Sequence, residues 1–173
     1  NQEAGKVTME IKPGVEDTIT RNGKVKSVRF LNDDAKEVLG EVSLKGETLK
    51  NAISITLATY KIGGYMERND TVLISFDRQL SENDKLREAV AEDVRRVLEK
   101  ETSVHTLVYV SESDNSDDAA LAKKYSISQG KAKLVSDAAK NSNLSAETLV
   151  KLPLDELVGL QKEVDSVVID TKY

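Results

Sequence analysis

Few residues in this sequence can do chemistry, and they are scattered. His105 is the only histidine and there is no cysteine, so a Ser-His-Asp relay, a Cys-His pair and thiolate or imidazole metal sites all lack their parts. A lone histidine inside VHTLVYV, residues 104–110, reads as a surface or packed strand residue. Asp114, Asp117 and Asp118 suggest calcium at first sight, but no EF-hand glycine and closing glutamate accompany them, so they read as a solvated loop. No Gly-Lys-Ser/Thr follows Gly63-Gly64, which reads as a helix stop rather than a phosphate cradle. Residues 116–163 carry seven lysines against seven acids, whereas a surface that tracks phosphates needs an excess of positive charge. The sequence therefore predicts no catalytic residue, no metal and no cofactor. A small hydrolase is disfavoured because nothing pairs a nucleophile with a base.

Those residues must be held by an ordinary, well-solvated globule. With 173 residues, 39% hydrophobic and 32% charged, the chain is long enough to bury a real core as one domain or one domain with a small appendage. A net charge of −5 gives no electrostatic reason to bind nucleic acid or an anionic bilayer. Aromatic content of 4% without tryptophan argues against a sugar-stacking platform. No run approaches the ~18 apolar residues of a membrane span, so no direct insertion of this piece into a bilayer is expected. A sequence that opens on Asn1 reads as part of a longer protein, and the missing span then says nothing of the parent.

The chain is organised around residues 6–34. Val7, Met9 and Ile11 alternate with Thr8 and Glu10, which predicts a strand with one buried face. Lys12-Pro13-Gly14 must end or kink it, because proline brings no N–H to a ladder. Val15, Asp17 and Ile19 resume the alternation up to Asn22-Gly23, a hairpin signal in which both turn positions want positive φ. The step from Val25 to Val28 predicts a bulge in the return strand. Asn32-Asp33-Asp34 reads as an N-cap with two acids at the positive end of a helix.

Further on, Leu49 to Tyr60 has helical spacing, and Val72 to Phe76 reads as a central strand covered on both faces. Ser81-Glu82-Asn83-Asp84 has capping-box form ahead of a long helix, and Val104 to Val110 is a second strand. That βαβ unit predicts parallel neighbours. From Ser116 the pattern is helical, with Ser128 as a cap, a hydrophobic staple of Leu144 with Leu149, and Pro153 as the first residue of a last helix. Residues 166–170 are an edge strand or a tail. The expected class is α/β (α+β): a mixed sheet with an N-terminal hairpin in residues 1–112, and a helical C-terminal subregion, 113–173, packed on it within one domain.

Ile11-x-Pro13, Asn22-Gly23-x-Val25, Asn32-Asp33-Asp34-Ala35-Lys36, Tyr125-x-Ile127-Ser128-x-Gly130-Lys131 and LVKLPLDEL at 149–157 together resemble the extracytoplasmic domain of RsgI-type anti-sigma factors. The resemblance spans about residues 5–163. It implies an ectodomain on the extracellular face of a single-pass membrane protein of a Gram-positive bacterium, following one membrane helix and a cytosolic segment that holds a SigI-type sigma factor. Intramembrane and site-1-type proteases are the other partners it implies.

The resemblance also implies chemistry at one bond. Such domains usually carry Asn-Pro where this chain has Lys12-Pro13. An asparagine side-chain nitrogen can attack its own backbone carbonyl and expel the following residue, and proline lacks the N–H for the competing deamidation. Both fragments stay together as one sheet. Removal of the first strand then exposes the membrane stub to the intramembrane protease. Lys12 has no side-chain amide, so the bond before Pro13 is expected to stay intact. A natural homologue that signals by other proteolysis, an engineered block and a mis-registered motif all fit that departure. Burial of Val7, Met9 and Ile11 is worth roughly 5–9 kcal/mol before entropy, a grip that a modest pull or partial unfolding could release. The competing functional reading is an assembly or interaction module of an exported envelope protein.

Overall fold

The computed structural model describes residues 2–101, 103–112, 116–161 and, for the backbone, 167–171. The opening hairpin forms as β1 (Glu3–Glu10), β2 (Gly14–Thr20) and β3 (Val25–Phe30). β4 (Thr71–Phe76), β5 (Thr106–Ser111) and β6 (Val167–Thr171) complete a sheet of order β3-β2-β1-β4-β5-β6. β4 and β5 are parallel, as the βαβ pattern requires, and every other pairing is antiparallel. The sheet is therefore mixed, with the hairpin on one side and the parallel pair beside it. The segment at 166–170 joins it as edge strand β6, apart from Ser166, which lies outside the described residues.

Eight helices accompany it among the described residues: α1 (Asp33–Leu39), α2 (Leu49–Ile62), α3 (Arg78–Ser81), α4 (Asp84–Glu99), α5 (Ser116–Tyr125), α6 (Gln129–Asn141), α7 (Ala146–Leu149) and α8 (Leu154–Gly159). One face of the sheet, with Val7, Met9, Val15, Ile19, Ile74 and Phe76, forms a core with Ile53, Leu57 and Tyr60 of α2 and Val90, Val94 and Leu98 of α4. The other face offers Leu73, Val108 and Val110, which α6, α7 and α8 cover with Leu134, Val135, Ala138, Leu149 and Leu157.

This second layer corrects the expectation of one buried face for β1. Thr8 and Glu10 are buried as deeply as Val7 and Met9, because β1 lies between β2 and β4 with packing on each side. The Asn22-Gly23 turn also differs. Only Gly23 is left-handed, at φ +77°; its N–H closes on Thr20 O at 2.9 Å, and Thr20 N–H then reaches Lys24 O at 2.9 Å. The bulge expected after Val25 is present: Thr18 faces Ser27 while the adjacent Ile19 faces Val25.

The long helix does not start from Ser81. Asn83 caps α4 through Leu86 N at 3.2 Å, while Ser81 ends the one-turn α3 and its hydroxyl donates to Asp77 O at 2.7 Å. Pro153 stands one residue earlier than expected, at the cap of α8. In the predicted staple, Leu149 is buried but Leu144 is exposed. No helix among the described residues is long and apolar enough to cross a membrane.

Candidate functional site

The bond before Pro13 lies at the corner between β1 and β2, and one side chain grips it from both ends. Asn32 Nδ2 donates to Lys12 O at 2.9 Å. Its Oδ1 accepts Ala35 N–H at 3.0 Å, which makes it the N-cap of α1, and receives Gly14 N–H at 3.4 Å. Ile11 N–H to Pro13 O at 3.1 Å and Leu31 N–H to Gly14 O at 2.9 Å tighten the same corner. The Lys12 side chain points outward, with Nζ 3.9 Å from Asp34 Oδ2 and 70% of the side chain exposed. An exposed ion pair of this kind contributes little, and a lysine ammonium offers its own carbonyl no amide nucleophile.

Asn32→Ala is expected to lower stability by about 1–2 kcal/mol through loss of the cap and the Lys12 tether. Chemical denaturation measures this, and an unchanged midpoint would refute the tether.

Asn22 and Gly23 stand at the opposite end of β2 from Pro13 and form a structural turn. His105 is half exposed, with Nδ1 3.4 Å from Asp70 Oδ2. Asp117 and Asp118 open α5, Asp118 is buried, and Asp114 lies outside the described residues. Among the described residues no group of three metal-ligating side chains converges. Gly63 caps α2 and Gly64 follows at φ +81°, a helix stop as read from the sequence.

No local pattern announces the buried carboxyl groups on the two faces of the sheet. Glu10, the last residue of β1, is buried and accepts a hydrogen bond from Ser128 Oγ. Burial raises its pKa, while the Ser128 bond and the Lys131 charge oppose the shift. Ser128 is at the same time the N-cap of α6, accepting Lys131 N–H at 3.0 Å. With its donor and acceptor both engaged and the residue buried, Ser128 is not an open nucleophile.

Asp17 points to the other face, among apolar residues, and its Oδ1 has no partner. Burial, reinforced by Glu16, pushes its carboxyl from 3.8 to about 7. Burial also raises Glu112 to about 7, with Glu16, Asp77 and Glu10 adding to the shift and Arg29 opposing it. Tyr60 is pushed up by burial and by the charges of Glu10 and Asp17, and its hydroxyl lies 3.5 Å from Met9 O.

Two clefts, of about 420 and 370 Å³, separate the sheet from the helical layer here, and Leu31, Ser126, Ile127 and Ser128 line both. The second reaches Lys12 and Asn32. Ser126 between them has φ +54°, a left-handed residue that ends α5, with Ile127 N–H reaching Ala122 O at 3.0 Å. α6 and α8 pack on β4 with Leu134, Val135, Ala138 and Leu157.

The arrangement holds a strand and a corner. Comparison with known proteins gives the family. The description "Anti-sigma factor RsgI-like central domain" matches residues 4–137. Anti-sigma-I factor RsgI9 of Acetivibrio thermocellus is 30% identical over 115 residues, 60% of this chain and 16% of the relative. Anti-sigma-I factor RsgI3 of the same organism is 27% identical over 165 residues, 88% of this chain and 25% of the relative. The chain thus spans a quarter or less of these relatives. The match takes in β1, the corner at Lys12-Pro13 and the start of the helical layer, and the chain belongs to the RsgI-like anti-sigma factor central-domain family.

Proposed function

We propose that this domain is the extracytoplasmic control element of a transmembrane anti-sigma factor, and that it regulates a SigI-type sigma factor by keeping or losing β1. The observation that carries the reading is the position of β1. It is the first strand of the chain and a central strand of the sheet, hydrogen-bonded to β2 on one side and β4 on the other. A membrane helix preceding β1 would be tied to the folded body through that strand alone. Loss of β1 exposes the chain around it to a site-1-type protease, whose cut leaves a membrane stub for an intramembrane protease, after which the cytosolic segment gives up its sigma factor. Residues 1–112 and 113–173 act as one domain, without turnover of an external substrate.

Lys12 and Pro13 are the equivalent of the family's self-cleaving junction, and Lys12 closes that route. The purified domain is expected to stay a single 19.0 kDa species by intact mass after denaturation. Separation of a fragment ending at Lys12 would overturn this part of the reading. In the parent protein, a sigma-dependent reporter should stay silent with intact β1 and rise severalfold when Ile11→Ala loosens it. A reporter indifferent to Ile11→Ala would remove β1 from the signalling path.

A further inference from the structure

Glu10 and Ser128 are 118 positions apart, yet they meet where the sheet and the helical layer face each other. Elsewhere α6 and α8 pack on β4. The loop that carries Ser128 has clefts beside it, and its first residue, Ser126, is left-handed. A carboxylate buried at the end of a strand needs a donor, and the cap residue of α6 supplies it. Lys131, in the first turn of α6, adds a positive charge that favours the carboxylate.

We propose that the Glu10–Ser128 contact is a latch through which the helical layer sets how firmly the end of β1, and with it the Lys12-Pro13 corner, is held. A displacement of the 126–128 loop withdraws the hydroxyl, leaves Glu10 buried without its donor, and loosens the three residues that lead to the corner. The helical layer is thereby the input side and β1 the output side. The latch stands on geometry; only its use in signalling rests on the function proposed above.

Hydrogen exchange read by mass spectrometry tests the latch on the whole domain, without a protease or a sigma factor. Glu10→Ala is expected to speed exchange about tenfold in the 8–14 segment and also in residues 131–135 of α6, where the substitution itself does not lie. Ser128→Asp keeps an acceptor for the Lys131 N–H but sets carboxylate against carboxylate, so 8–14 should loosen at least as much while α6 keeps its helical signal. In Glu10→Ala with Ser128→Ala, the combined acceleration should fall short of the product of the single effects by about tenfold. Ser145→Ala removes the cap of α7 and should leave 8–14 unchanged. Effects confined to each variant's own segment, or a double variant equal to the product, would overturn the latch. A working latch in a domain whose parent shows no sigma-dependent response would instead overturn the functional reading alone.

Discussion

Raising the pH from about 4 to about 8 is expected to remove about 4 kcal/mol of folding stability through Asp17 alone. The folded carboxyl titrates near 7 and the unfolded one near 3.8, so between those values the native state binds a proton that the unfolded chain has released. Stability is therefore fully present below about pH 4 and is lost as pH rises through 7. The interval, at about 1.4 kcal/mol per pH unit, gives the magnitude. Glu112, raised to about 7, acts in the same direction with a smaller weight because water reaches it more easily.

Asp17→Asn cannot ionise and should flatten most of the slope, with a net gain above pH 7.5 reduced by about 1–3 kcal/mol for the amide donors left unpaired in an apolar site. Urea unfolding at several pH values decides the matter. A wild-type stability that is flat or rising from pH 4 to 8 would show that Asp17 is ionised in the fold.

The second large effect is expected at Gly130, in the first turn of α6. A Cβ there would overlap Ser75 Oγ and stand 2.8 Å from Ser75 Cβ, so the helix backbone rests directly on a buried residue of β4. Alanine, ordinarily the best helix former, should here cost about 3 kcal/mol or more by forcing α6 off the sheet. That corresponds to a fall in Tm of about 6–12 °C for a domain of this size. Ser75→Gly in the same chain removes the obstructing atoms and should return part of the loss. Gly130→Ala with an unchanged Tm would mean that α6 does not approach β4 so closely.

Local pattern carried most of the fold. Asn32 and Ser128 cap their helices as their types and positions indicate, and the Pro13 corner, the bulge after Val25 and the parallel β4–β5 pair all follow from short-range rules. Local reading failed where a partner distant in sequence decided the outcome. Thr8 and Glu10 looked like the solvent face of β1 because nothing near them announces the helices that cover them. Ser81 and Asn83 stand two residues apart ahead of the same helix; Ser81 is taken up as the end of the one-turn α3, and Asn83 is the cap. The site was less legible than the fold. Lys12 and Pro13 could be singled out, but the grip of Asn32 on Lys12 O spans 20 positions and the Glu10 bond to Ser128 spans 118. Contacts of that range leave no periodicity to read.

The central place of β1 has a mechanical consequence. Tension applied at the N-terminus runs along the strand axis, so the ladders to β2 and β4 are loaded together in shear rather than opened one bond at a time. An end-on tug therefore meets far more resistance than the apolar contacts of three side chains suggest. In single-molecule pulling, force applied through residue 1 should rupture the domain at markedly higher load than force that peels β3 from its exposed edge.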